Sequence, residues 1–348
     1  MTDFVFAIPG DLGRPTGGYI YDRRVIEECR RAGGNAAHLA LPDGFPFPSA
    51  EVIARSGELL HALPPGLPVL IDGLGLGALP AGLLRGLRRP LAALVHHPLV
   101  LETGLVAAQQ AQLFASEYAA LAEVSAVIVT SPMTARILVQ DYAVVPEKLV
   151  VALPGTEPAA RATGTSTPPR ILAVGSVIPR KAHGVLVEAL HGLRARDWTC
   201  HIVGATDSDA GAARALRTLI EARGLADRIV LTGAMTSNAL EGEFQAADIF
   251  VSASLYEGYG MALIEAVARG LPVVATNAGA IPETLPAGTA LLVPPGDAGA
   301  VAEAIGHLLD QPQLRRAMAD RAWEQAHTLP RWSQTAAVIA ATMGGLAR

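Results

Sequence analysis

Lysine is almost missing from this chain: of its 27 basic residues only Lys148 and Lys181 are lysines. With so much alanine beside it, the skew looks like a coding bias and assigns no chemistry by itself. Cysteine is as scarce. Cys29 and Cys200 lie far apart without metal-ligand spacing, so no cysteine metal site is expected and a reduced compartment is the simple reading. No run of 18 apolar residues occurs, so no membrane-spanning helix is expected. The opening "MTDFVFAIPGD" lacks the charged start, apolar run and cleavage site of a signal peptide, which makes the cytoplasm the expected location. Charged residues are only 17% and the net charge is −5, so nothing draws the chain to nucleic acid. H-E-x-x-H, P-loop and nucleophile-elbow patterns are absent as well.

What is present is an alternation. The 348 residues are enough for two domains, and the 51% apolar content suits parallel strands buried on both faces. Strand-like "FVFAIPG", "NAAHLAL", "LPVLIDG", "LAALVHHP", "SAVIVTS" and "EKLVVALPG" are interleaved with helical segments. A second series runs from "RILAVGS" through "WTCHIVGA", "RIVLTGAM", "DIFVSAS", "PVVATN" and "TALLVPPGD". Alternating strands and helices predict an α/β fold of two doubly wound parallel sheets. The expected division is residues 1–154, completed by a terminal helix over 331–348, a linker rich in Pro, Gly, Ser and Thr over 155–170, and a second domain over 171–330. In open parallel sheets ligands bind beyond the carboxyl ends of the strands, so a cleft between the two domains is the expected site.

The stretch "EGYGMALIEA" at 257–266 lies where a loop leaves one central strand and enters a helix. The first-turn amides of that helix have no helical acceptor, and the helix dipole adds positive potential. A phosphate or a sugar hydroxyl fits there, and glycine lets a ligand come close to the backbone. Glu257 can accept hydrogen bonds from sugar hydroxyls, and Glu265 falls one turn after Met261. Two carboxylates would repel a diphosphate, so hydroxyls are their expected partners. An N-terminal acid suited to the dipole, with a solvated second acid, is the plainer alternative on spacing alone.

"EGYGMALIEA" followed by "RGLPVVATNAGAIPE" resembles the E-x(7)-E signature of the retaining glycosyltransferases of family 4. The resemblance covers nearly the whole chain and is strongest from Ile171 to Pro295. It implies the GT-B fold, two Rossmann-like domains facing across a cleft, and a hexosyltransferase that moves a sugar from a UDP- or GDP-sugar to a hydroxyl acceptor. By this resemblance Glu257 contacts the donor sugar and Glu265 the ribose, while Gly258, Tyr259, Gly260 and Met261 offer backbone amides. "VGSVIPRKAHG" resembles the family's phosphate loop with Lys181 in the lysine position, but Ser176 stands where the family has arginine. That removes a bidentate phosphate contact, which Arg180 is the candidate to replace. "PTGGYIYDRRV" resembles the N-terminal glycine loop at Gly17 and Gly18. His96 in "LVHHP" aligns with the histidine that contacts the donor sugar, with His97 as the alternative. Gly233 to Met235 would line the base.

The resemblance implies no cofactor and no metal, since Lys181 and the helix N-terminus would stabilise the leaving phosphate, and it implies retention of anomeric configuration. Monomer and homodimer both stay open, as does peripheral contact with a membrane through the arginines of "LLRGLRRPLA". Asp207 and Asp209 form a D-x-D pattern better suited to a cap or loop than to a metal. "DGLGLG" at 72–77 is a weak dinucleotide signal without a matching acid at a later strand end. The rivals are a GT-B sugar epimerase or phosphorylase, a nucleotide-sugar-binding module without turnover, to which Ser176 gives some standing, and, more distantly, an NAD-binding oxidoreductase.

Overall fold

In the computed structural model, which describes residues 3–347, the chain divides into two units. One holds the residues up to Gly155 together with those from Pro330 onward, and the other is Thr156–Leu329.

The first unit carries β1 (Asp3–Pro9), β2 (Asn35–Leu41), β3 (Val69–Asp72), β4 (Leu91–Val95), β5 (Ala126–Val129) and β6 (Leu149–Val151). They pair in the order β2-β1-β3-β4-β5-β6, every pair parallel. β3, β4 and β5 are buried at every position, which is why they read as unbroken apolar runs. The strand order reverses between β1 and β3, and the helix Gly17–Arg31 starts above that reversal. The helix Trp332–Leu346 returns to this unit and packs on Gly17–Arg31, with the rings of Tyr21 and Trp332 5.6 Å apart. Gly155 makes the return feasible: a Cβ there would lie 2.2 Å from the Trp332 nitrogen.

The second unit carries β7 (Arg170–Val174), β8 (Thr199–Val203), β9 (Ile229–Gly233), β10 (Ile249–Ser252), β11 (Val273–Thr276) and β12 (Ala290–Val293). The order is β12-β11-β10-β7-β8-β9, again all parallel. Read from the other edge, this is third, second, first, fourth, fifth, sixth, the dinucleotide-binding order. Its switch point lies between β7 and β10. The largest side chain in this core is Trp198, whose ring nitrogen donates to Leu193 O at 2.9 Å while Arg228 stacks over the ring at 3.7 Å.

Two features depart from the sequence reading. The stretch read as a linker has no regular structure, yet it is tied along the second unit. Ala162 N donates to Arg269 O (2.9 Å), Ser166 Oγ donates to Ala246 O (2.8 Å), and Arg161 pairs with Asp320. Its prolines and small residues prevent a helix, while its backbone groups still find partners on the surface they cross. The helix Pro312–Gln325 was not legible, because its charges run along its whole length and only Met318 and Ala322 are buried. Among the described residues no helix is long and apolar enough to cross a membrane.

Candidate active site

In the second unit the loop after β7 and the loop after β10 emerge side by side because those strands are neighbours at the switch point. Lys181 and Glu257, 76 residues apart in sequence, therefore meet: Nζ lies 2.5 Å from Oε1. Ser254 Oγ donates to the same oxygen at 2.7 Å, and Arg180 Nη1 stands 3.5 Å from Oε2. Arg180 also grips the loop by its backbone, donating through Nη1 to Tyr256 O (3.0 Å) and accepting from Leu255 N (2.8 Å). Glu257 is 7% exposed. Burial alone would raise its carboxyl, but Lys181, Arg180 and the Ser254 hydroxyl outweigh it and hold the group below the usual carboxylate range.

Close backbone approaches build this edge. A Cβ on Gly204 would sit 2.0 Å from Gly175 O, and one on Gly279, which has φ +57°, would sit 2.3 Å from Glu257 O. Gly279 thus lets Ala280 N bond Glu257 O at 2.9 Å, fixing the loop that carries the acid. Gly175 leaves room for the methylene stem of Lys181: a Cβ there would lie 3.1 Å from Lys181 Cδ and Cε. His183 is buried and bonds Gly175 O through Nε2 (3.1 Å); burial pushes its pKa down to about 4, so it braces the loop as a neutral ring.

Gly260 caps the helix Met261–Ala268 at φ +95° with no side-chain cap. The first amides of that helix therefore point beyond the strand ends without an intrahelical acceptor. Gly258 and Tyr259 are buried in the loop ahead of it. Glu265 lies partly buried on the helix itself, and burial pushes its carboxyl up. The neighbouring Arg269 is engaged with Glu241 and stacks on Phe244. Ser176 follows Gly175 on the β7 loop, and Gly233, at φ +76°, ends the edge strand β9 before Met235. Ser176 shares the β7 loop with Lys181, while Gly233 and Met235 follow β9, two strands farther along the sheet, and no hydrogen bond of these three to the Glu257 or Lys181 side chain occurs among the described residues.

The first unit holds its own cluster. His96 follows β4, and its Nε2 lies 3.2 Å from Asp22 Oδ1 and 3.6 Å from Asp72 Oδ2. Gly18 packs on the ring, where a Cβ would come within 3.3 Å of Cδ2; Gly17 opens the same helix. His97 points to Glu102, 3.5 Å away, so His96 and not His97 belongs to the cluster. Asp22, Asp72 and His96 are the one group of described residues whose atoms, within 4.8 Å of one another, could surround a metal ion. Their spacing is that of a hydrogen-bonded acid–imidazole pair. Asp209 caps the helix Ala210–Ala222 by accepting from Ala212 N (2.8 Å), so the D-x-D pattern serves local structure. Asp72 likewise caps the "GLGL" turn through Leu74 N (2.9 Å).

Sequence reasoning did not single out Ser254, His183, Asp22 or Asp72. The signals were there: Ser254 precedes Glu257 by one turn of loop, and Asp22 follows Gly18 by four residues on one helix face.

Residues 168–311 match the family model of glycosyl transferases group 1. The chain is 29% identical over 317 residues to the MMP alpha-(1->4)-mannosyltransferase of Mycolicibacterium hassiacum, covering 84% of this chain and 74% of that protein. Sucrose-phosphate synthase from Thermosynechococcus elongatus superposes with a TM-score of 0.80 at 23% identity, covering 97% of each chain. Anabaena HepE in complex with UDP-glucose gives 0.78 at 18% identity, covering 98% of this chain and 99% of that one. These structural likenesses speak for the fold.

Proposed function

This chain is a family 4 glycosyltransferase with the GT-B fold, its second unit carrying the group 1 domain, and from that premise we propose that it transfers a hexose from a nucleotide-diphosphate sugar to a hydroxyl acceptor with retention and without a metal. The observation that carries this reading is the Lys181–Glu257 contact at the switch point of the second sheet. A cation there faces the leaving pyrophosphate, and a buried ionised acid faces the sugar's hydroxyls.

In the reaction the bond from the anomeric carbon to the phosphate oxygen breaks and its electron pair departs with the nucleoside diphosphate, while the acceptor hydroxyl oxygen bonds that carbon and its proton passes to the departing phosphate. Lys181 and the open amides at the start of Met261–Ala268 stabilise the growing phosphate charge. Glu257 orients the sugar and offsets the positive charge that develops on its ring. Arg180, bound to Tyr256 O and near Glu257 Oε2, keeps that acid aimed. Ser176 offers a hydroxyl where an arginine would have given two bonds, so more of the phosphate work falls on Lys181. Glu265 takes the ribose hydroxyls, and the backbone at Gly233 to Met235 takes the base.

UDP- and GDP-sugars are both candidate donors; a UDP-glucose complex is known for the Anabaena neighbour, and a mannosyltransferase is among the relatives. The test is a thermal-shift and turnover screen of UDP-, GDP- and ADP-sugars, repeated after chelation. One donor should raise the melting temperature and be consumed with acceptor at an undiminished rate in chelator. Loss of turnover on chelation would overturn the metal-free reading, and tight donor binding with no transfer across a broad acceptor panel would favour the silent binding module.

Glu265→Ala is expected to weaken nucleotide binding about tenfold, the worth of a charge-assisted hydrogen bond pair. Calorimetry checks it: an unchanged Kd removes the ribose role.

A further inference from the structure

Oε1 of Glu257 takes two donors that differ in kind. One is the Lys181 ammonium at 2.5 Å, and the other is the Ser254 hydroxyl at 2.7 Å. Lys181 has a flexible stem and a partly exposed head, so an arriving pyrophosphate can draw it off. Ser254 has no such freedom. It is 1% exposed, and its carbonyl accepts from Thr276 Oγ1 at 2.5 Å. The register of β10 on β11 sets Ser252 opposite Ala275, which carries Thr276 to Ser254. Ser252 Oγ lies 3.1 Å from Ser254 Oγ. A serine hydroxyl has a single hydrogen, and Ser254 gives it to the carboxylate. Ser252 is therefore the donor in that second contact, and both hydroxyl hydrogens point along the chain towards the acid.

We propose that Ser254 is a positioning residue for Glu257: its hydroxyl fixes Oε1 from the buried side and keeps the acid aimed at the donor sugar once Lys181 has turned to the pyrophosphate. The proposal rests on the reading of the chain as a sugar transferase and divides the work within that site. The two jobs given to the Lys181–Glu257 pair compete, because a cation that closes on phosphate leaves the carboxylate. Arg180 stands 3.5 Å from Oε2, longer than a charge-assisted hydrogen bond, and it serves the other oxygen. A tether on Oε1 that the phosphates do not compete for removes the conflict, and Ser254 is placed to be that tether.

Lys181 and Arg180 face the carboxyl from the β7 loop, and His183, a neutral ring on the same stretch, lies within reach of its charge. A hydrogen bond to the ionised form favours that form, so losing the Ser254 bond raises the Glu257 carboxyl. The rise is partly masked while Lys181 holds Oε1 and is fully felt when it does not.

The experiment is Ser254→Ala, with turnover of the nucleotide sugar found by the screen above measured against pH. The substitution removes one oxygen and leaves the carbonyl bond to Thr276 in place. kcat should fall about tenfold, the worth of one hydrogen bond to a charged group. Affinity for UDP and GDP should hold, since the groups assigned to the phosphates are unchanged. The acidic limb of kcat should move to higher pH, and by more than the acidic limb of kcat/KM. The first reports the donor complex, where Lys181 is engaged elsewhere, and the second the free enzyme, where it still holds Oε1. A role confined to loop stability would move both limbs alike or neither. Should Ser254→Ala fail to fold, Ser254→Cys takes its place, because it fills the site with a far weaker donor. Equal movement of the two limbs, an undiminished kcat, or a loss of diphosphate affinity in place of kcat overturns the proposal and leaves the transferase reading standing. A parent protein that transfers from no nucleotide sugar overturns that reading and the proposal together.

Discussion

Lys181→Ala is expected to lower kcat/KM by about 10²–10³-fold, the usual cost of deleting one donor that meets charge developing in a transition state. Its neighbours sharpen the expectation. Ser176 leaves no arginine at the start of the phosphate loop, and Arg180 is already committed to Tyr256 O and Glu257. Among the described residues no second cation contacts Glu257 besides Arg180. The same change should cost stability of about 1–3 kcal/mol, because Glu257 stays buried with only Arg180, at 3.5 Å, to offset its charge. Glu257 would also titrate higher without Lys181. Its carboxylate contributes stability above its unfolded pKa and loses it as pH falls, so the variant should unfold at a higher pH than the parent on acidification. Steady-state kinetics with an acid titration followed by circular dichroism measures both effects. Near-parental turnover in a folded Lys181→Ala protein would contradict the phosphate role.

Glu257→Gln should lower kcat by about 10³-fold while leaving nucleoside diphosphate affinity unchanged or tighter. The two readouts separate because the acid serves the sugar and repels the phosphates. Gln fills the same space and still accepts from Ser254, so the loop held by Gly279 and Ala280 should stay in place. Removing the negative charge frees Lys181 from its 2.5 Å partner, and an arriving pyrophosphate then finds a cation with no competitor. Weaker diphosphate binding together with normal kcat would reverse both assignments. Calorimetry with the nucleoside diphosphate, beside turnover of the intact donor, supplies the comparison.

Much of this was legible because parallel-sheet physics writes itself into sequence. Unbroken apolar runs such as "LAALV" and "DIFVSAS" mark strands buried on both faces, and the loops after them fall on the ligand edge. "EGYGMALIEA" was readable because a glycine at a helix start has a local cause, the left-handed φ at Gly260. Strand order was not legible, and it is the order that brings the β7 and β10 loops together and so joins Lys181 to Glu257. Nor does local pattern mark a residue such as Asp22. It looks like any polar residue in a helix, and its use appears only when β4 delivers His96 beside it. Ser254 and His183 escaped notice for the same reason: their partners are remote, or lie across a turn. The helix Pro312–Gln325 was missed because its charges hide the short apolar stripe on Met318 and Ala322.

A structure determined with the nucleotide-diphosphate sugar bound tests the central claim most directly. The account predicts a phosphate oxygen within hydrogen-bond reach of Lys181 Nζ, with sugar hydroxyls on the Glu257 carboxylate and the diphosphate over the first amides of Met261–Ala268. A donor lodged elsewhere on the sheet, with the Lys181–Glu257 pair intact and untouched by it, would contradict the account.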